Sequence, residues 1–304
     1  MLPIFDKLSA WGKVILLVLL IFMGAIISTG LGLITIYLFY GSTVAHTLLG
    51  GLITCDNCLA PLKILQIFNH IGLFAISAIA WIILTEGKIR EPFALRKSIH
   101  PHLTLITITV VFTIAPLIAW VSEFNQAIHI PVILESVGQW MHEKEAAAEK
   151  ITDFFMRGAS LPGLGLNLIM MAILPALGEE LLFRGLIQRQ LSQRWNNPHL
   201  AIFISAAIFS AIHFQFFGFL PRMLLGILFG YLLLFSGNLW YPILAHFINN
   251  ATAVMVFYFH DTGQSQTPME DFGKLPGLSF IISSALITII LLLLFYRKGK
   301  ESIA

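Results

Sequence analysis

Charge is what this 304-residue sequence has least of: only 11% of its residues are Asp, Glu, Lys or Arg and 57% are hydrophobic, where an average soluble domain carries roughly 25% charge. So little charge excludes a water-soluble globule. The net charge is only +2 and the basic residues are scattered, which excludes the electrostatic stripe that nucleic-acid binding requires. Cysteine is nearly absent as well. Cys55 and Cys58 form CDNC in the connector after the first apolar run. A redox pair or half a zinc site would need a βαβ context or further ligands nearby, and neither is visible, so a local disulfide or incidental loop thiols is the better reading. Internal repeats and low-complexity tracts are missing too, so the chain reads as one domain.

What the sequence does have is long apolar runs. A bilayer core about 30 Å thick needs roughly 20 apolar residues per helical span, and the pattern predicts eight, at 14–40, 64–84, 103–121, 165–186, 200–217, 223–235, 239–259 and 278–296. The first follows Lys7 and Lys13 but is too long for a signal-peptide core, so it reads as a retained helix. The fold class expected is therefore an all-α integral membrane protein, a bundle of about eight transmembrane helices around a polar intramembrane site.

An even number of spans puts both termini on one side. Eleven of the eighteen basic residues then share that side (Lys7, Lys13, Lys88, Arg90, Arg96, Lys97, Arg189, Arg194, Arg297, Lys298 and Lys300). By the positive-inside rule the expectation is a multi-pass protein of the cell membrane with cytoplasmic termini. Between the third and fourth spans, residues 140–155 carry Trp140, Ala147, Ile151 and Phe155 at near-helical spacing, which predicts an interfacial helix.

Chemistry concentrates in one string, LPALGEELLFRG at residues 174–185. An ionisable group at bilayer depth costs about 2.5–3.5 kcal/mol on insertion scales and normally faces a partner or a wet cavity. Glu180 and Arg184, four apart, share a helix face and can pair. Glu179 points about 100° away and is free to address a water. A buried carboxyl is suited to exchanging protons near neutral pH, although helix-packing glue would use the same residues. Two further polar positions lie in apolar runs: His213 in FSAIHF, and His246 with Asn250 in LWYPILAHFINN. His246 and Asn250 are four apart and share a face, the spacing of a two-donor oxyanion clamp; Asn249 is the weaker candidate. His70 lies within the second span and reads as a core histidine or a peripheral helper. Gly226 and Gly230 form a GxxxG step for close helix approach, and Pro175 frees a carbonyl one turn before the glutamates.

These residues resemble the CPBP (Abi) family of intramembrane proteases, the CAAX prenyl endopeptidase and bacteriocin-processing group. Glu179, Glu180 and Arg184 fit its EExxxR motif, Phe209 and His213 its FxxxH, and His246 and Asn250 its HxxxN, in order, over roughly residues 162–255. The resemblance implies that Glu179 and His213 activate a water, that His246 and Asn250 stabilise the oxyanion, and that Glu180 and Arg184 give structural support. Preorganised donors of that kind are worth about 2.7–4 kcal/mol each. It divides the chain into N-terminal transmembrane helices with the interfacial helix (1–160), the catalytic core (161–260), and a last helix with a basic tail (261–304). The implied partners are a membrane-associated protein or peptide substrate and the lipid bilayer. A zinc ion held by Glu179, His213 and His246 is compatible with these residue types, though HExxH is absent and no cofactor is required on the preferred, metal-free mechanism. The rival classes are a transporter relaying protons or a cation through Glu179, His213 and His246, and a non-catalytic scaffold. The lack of an inverted repeat argues against the first.

Overall fold

The computed structural model describes residues 4–50, 58–87, 98–157, 160–268 and 271–303, and those residues are helical with short connections. Cys55, Lys88, Arg90, Arg96 and Lys97 lie outside them. Ten helices are used below: α1 (Ala10–Tyr40), α2 (Ser42–Leu49), α3 (Leu59–Glu86), α4 (Pro101–Gln126), α5 (Glu135–Met156), α6 (Leu161–Trp195), α7 (Pro198–Ala211), α8 (Phe219–Ser236), α9 (Trp240–Asp261) and α10 (Leu278–Ile303). Among the described residues seven spans have the length and hydropathy to cross a membrane: α1, α3, α4, α6, α8, α9 and α10. The protein is thus an all-α membrane bundle.

The eighth expected span is shorter than the sequence suggests. Apolar residues run on to Phe217, but α7 stops at Ala211 after 14 residues, about 21 Å at 1.5 Å per residue. The chain then reverses through residues 212–215, with Phe214 at φ 52°. Ser210 Oγ donates to the Phe219 carbonyl at 2.7 Å, and Asn125 of α4 donates to the Phe216 carbonyl at 3.0 Å while accepting from the Leu220 amide at 2.7 Å. Backbone that leaves a helix at membrane depth persists only where protein groups satisfy it. His213 consequently sits in a turn and not, as expected, within a helix.

Small residues set the closest contacts. A Cβ on Gly24 of α1 would lie 2.3 Å from the Gly72 carbonyl of α3, so these helices meet backbone to backbone. Asn69 Oδ1 accepts from Thr29 at 2.7 Å beside that crossing. One hydrophobic core joins Trp81 of α3, Phe183 and Leu186 of α6, Phe209 of α7 and Ile243 of α9; another joins Val110 of α4, Phe229 of α8, Tyr241 of α9 and Phe295 of α10. Cys58, which is disulfide-bonded, packs with Leu62, Phe155 and Met170 and ties the C-terminal end of α5 to the bundle.

The basic ends gather. Phe5 N donates to the Leu84 carbonyl, Trp81 Nε1 donates to the Lys13 carbonyl, and Arg189 pairs with Glu86 at 2.5 Å, so the start of α1 and the ends of α3 and α6 share one end of the bundle.

Candidate active site

Glu179 and Glu180 close the short α-helical stretch Leu174–Glu180, which lies between two π-helical stretches, Ile169–Ile173 and Leu181–Gln188. Such local unwinding recurs at functional sites because it re-aims side chains. Glu180 and Arg184 are both fully buried and pair at 2.8 Å, as their spacing predicts. Arg184 also donates to the Gly226 carbonyl of α8 at 2.9 Å, and its guanidinium carbon lies 4.7 Å from the Phe209 ring centroid. Cation–π contact and hydrogen bonds together offset its desolvation.

The GxxxG step serves this arrangement. A Cβ on Gly226 would stand 2.9 Å from Ala206 Cβ and 3.2 Å from Arg184 Nη2, and one on Gly230 would stand 2.8 Å from Ile202 Cγ2. Without side chains there, α8 packs on α7 and its carbonyls reach Arg184 and Gln188. Gly226→Val is therefore expected to overpack the contact and to lower stability by about 1–3 kcal/mol, read as a fall in the unfolding midpoint in detergent; an unchanged midpoint would mean the helices separate freely there.

His246, buried in α9, makes the contact that spacing alone did not reveal. Its Nδ1 lies 2.8 Å from Glu180 Oε1, the oxygen that also accepts from Arg184. A carboxylate only accepts, so Nδ1 carries a proton. The other ring nitrogen, Nε2, then faces Glu179 Oε2 at 3.9 Å, beyond a direct hydrogen bond. Phe229 stacks on the ring at 5.2 Å, and Phe209 meets it edge-on at 6.0 Å. Glu180 therefore orients His246 as well as holding Arg184.

His213 Nδ1 donates to the Phe209 carbonyl at 2.8 Å, one turn back, which leaves Nε2 as an acceptor. Its ring lies 5.2 Å from that of Phe209, which also touches Arg184 and His246. Phe209 is thus the shared wall between the His213 turn and the buried Glu180–His246 pair.

Asn250 faces α6, on the same side of α9 as His246. Its Nδ2 donates to the Met171 carbonyl at 3.0 Å. Pro175, four residues beyond Met171, has no N–H to give that carbonyl, so the side chain of α9 supplies what the proline withholds. One amide proton is engaged there and one remains. Asn249 in turn donates to Asn250 Oδ1 at 3.2 Å.

Glu179 and His246 are thus brought side by side, His213 is joined to them through Phe209, and Asn250 is anchored on α6. His70 is closer to this centre than its place in the sequence indicates: it is buried, its ring lies tilted against Phe74 at 4.6 Å, and a Cβ on Gly178 would meet its Nε2 at 3.0 Å. Among the described residues no three His, Cys, Asp or Glu side chains are arranged to hold a metal ion. Glu180 and the Phe209 carbonyl engage Nδ1 of His246 and of His213, respectively. A cavity of about 430 Å³ lies between α4, α8 and α9, with Asn249, Glu123 and Lys274 in its lining.

Residues 161–252 match the family described as Type II CAAX prenyl endopeptidase Rce1-like, and the match takes in Glu179, Glu180, Arg184, Phe209, His213, His246 and Asn250. In Bacillus subtilis (strain 168), the uncharacterized protein YpbD is 32% identical over 89 residues, which are 28% of this chain and 42% of YpbD. The chain therefore spans less than half the length of that relative. No solved structure matches.

Proposed function

We propose, taking the Rce1-like character of residues 161–252 as the premise, that this chain is an intramembrane endopeptidase that hydrolyses peptide bonds of membrane-associated or prenylated substrates. The observation that carries the reading is the 3.9 Å gap between Glu179 Oε2 and His246 Nε2, beside a histidine whose other nitrogen is fixed by the Glu180–Arg184 pair. A carboxylate and an imidazole that lie this close without bonding each other can both address a third group placed beside them.

In the proposed reaction Glu179 accepts a proton from water, with His213 Nε2 as a second acceptor that orients it. The water oxygen attacks the scissile carbonyl carbon, and the C=O electron pair moves to oxygen. Asn250 donates its remaining amide proton to that oxyanion. His246, whose Nδ1 proton is held by Glu180, also donates from Nε2 when the ring enters this step with a proton on each nitrogen. Collapse breaks the C–N bond, and Glu179 returns its proton to the leaving amine. Donors set in place before charge develops need no reorganisation during reaction.

The orientation proposed for the chain keeps both termini cytoplasmic. Mass spectrometry of membrane peptides, comparing cells with the wild-type chain and with Glu179→Ala, tests the function. New peptide termini in the wild-type sample alone are the expected result; identical peptide sets would sink it.

A further inference from the structure

Arg222 stands in the first turn of α8, half-buried, one turn before Gly226. Two other arginines among the described residues each face a glutamate, Arg184 with Glu180 at 2.8 Å and Arg189 with Glu86 at 2.5 Å. Arg222 does not. Its Nη2 donates to Gln215 Oε1 at 2.7 Å and its Nη1 to the Gln215 carbonyl at 3.5 Å, both neutral acceptors. Among the described residues no carboxylate oxygen lies within 4.0 Å of it. Glu145 of α5 acts on it only from a distance and engages Oε2 with the Phe217 amide at 3.2 Å.

Its position matters as much as its lack of an anion. Gln215 belongs to the turn that carries His213, so the guanidinium is tethered to the same four-residue segment as that histidine. Glu179 and His213 both lie within its electrostatic range. A half-buried guanidinium hydrogen-bonded only to a neutral amide still lacks a directly paired anion. The guanidinium is planar with five N–H groups, and a carboxylate matches that fork in two parallel hydrogen bonds.

We infer that Arg222 receives a carboxylate of the peptide substrate and thereby selects which peptides are held against Glu179. The inference deepens the peptidase reading above and rests on it. The carboxylate is either the peptide's own C-terminus or an Asp or Glu side chain near the cut.

The test uses the full chain in detergent with matched membrane-tethered peptides: one with a free C-terminus, one amidated at the C-terminus, and one with an acidic residue near the cut site changed to its amide. The wild type is expected to lose about tenfold to a hundredfold in kcat/KM, mainly through KM, on one of the two neutralisations; which one identifies the source of the carboxylate. Arg222→Gln is expected to lower the acidic peptide to the level of its neutral partner and to erase the preference. If R222Q is not recovered folded, Arg222→Lys carries the test, retaining charge without the fork and therefore only part of the preference. Wild-type indifference to both neutralisations overturns the inference. So does an Arg222 variant that slows every peptide equally, which would mean that Arg222 only balances Glu179 or braces the turn. A wild-type chain that cleaves none of the peptides fells the peptidase reading itself and this inference with it.

Discussion

Glu179→Gln is expected to slow peptide cleavage about 10²–10⁴-fold, the span associated with loss of a positioned acid or base, while the unfolding midpoint in detergent stays at its wild-type value. Glu179 is 7% exposed, and its nearest ionic partner, His246 Nε2, is 3.9 Å away. An isosteric amide preserves packing and removes only the capacity to take a proton. Turnover of a membrane-tethered peptide, with folding monitored in parallel, separates the two effects. Wild-type turnover in the variant would strip Glu179 of its role as base; a large fall in stability would identify it as a structural residue.

Its neighbour should behave in the opposite way. Glu180→Gln is expected to destabilise the protein by about 3–5 kcal/mol, the usual penalty for removing one member of a buried ion pair. Glu180 Oε1 accepts from both Arg184 and His246 at 2.8 Å. A neutral amide strands the buried guanidinium and releases the His246 ring. Glu180 Oε2 has no hydrogen-bond partner, so an amide nitrogen at that position would be an unsatisfied donor as well. The unfolding midpoint is the readout, with cleavage falling alongside it. An unaltered midpoint would show that Arg184 is adequately held by the Gly226 carbonyl and the Phe209 ring alone. Two adjacent carboxylates, one dispensable for folding and one required for it, form the sharpest contrast available at this site.

The sequence by itself determined that the chain belongs in a membrane, because burying so many apolar residues needs a solvent without water, and hydropathy is additive along a run. It determined the Glu180–Arg184 pair and the common face of His246 and Asn250, because helix periodicity fixes which residues four apart are neighbours. It also carried the three-motif likeness that the family match over residues 161–252 bears out. The end of α7 was not legible: Ile212, Phe214, Phe216 and Phe217 carry the apolar run past it, and the reversal there depends on Asn125 of α4 and Ser210 meeting the freed backbone. Nor was the bond from His246 to Glu180, since no local rule relates side chains 66 positions apart. The same holds for Asn250 on the carbonyl that Pro175 leaves open. Spacing specifies neighbours on one helix, whereas contacts between helices follow from how closely small residues such as Gly226 allow two backbones to approach.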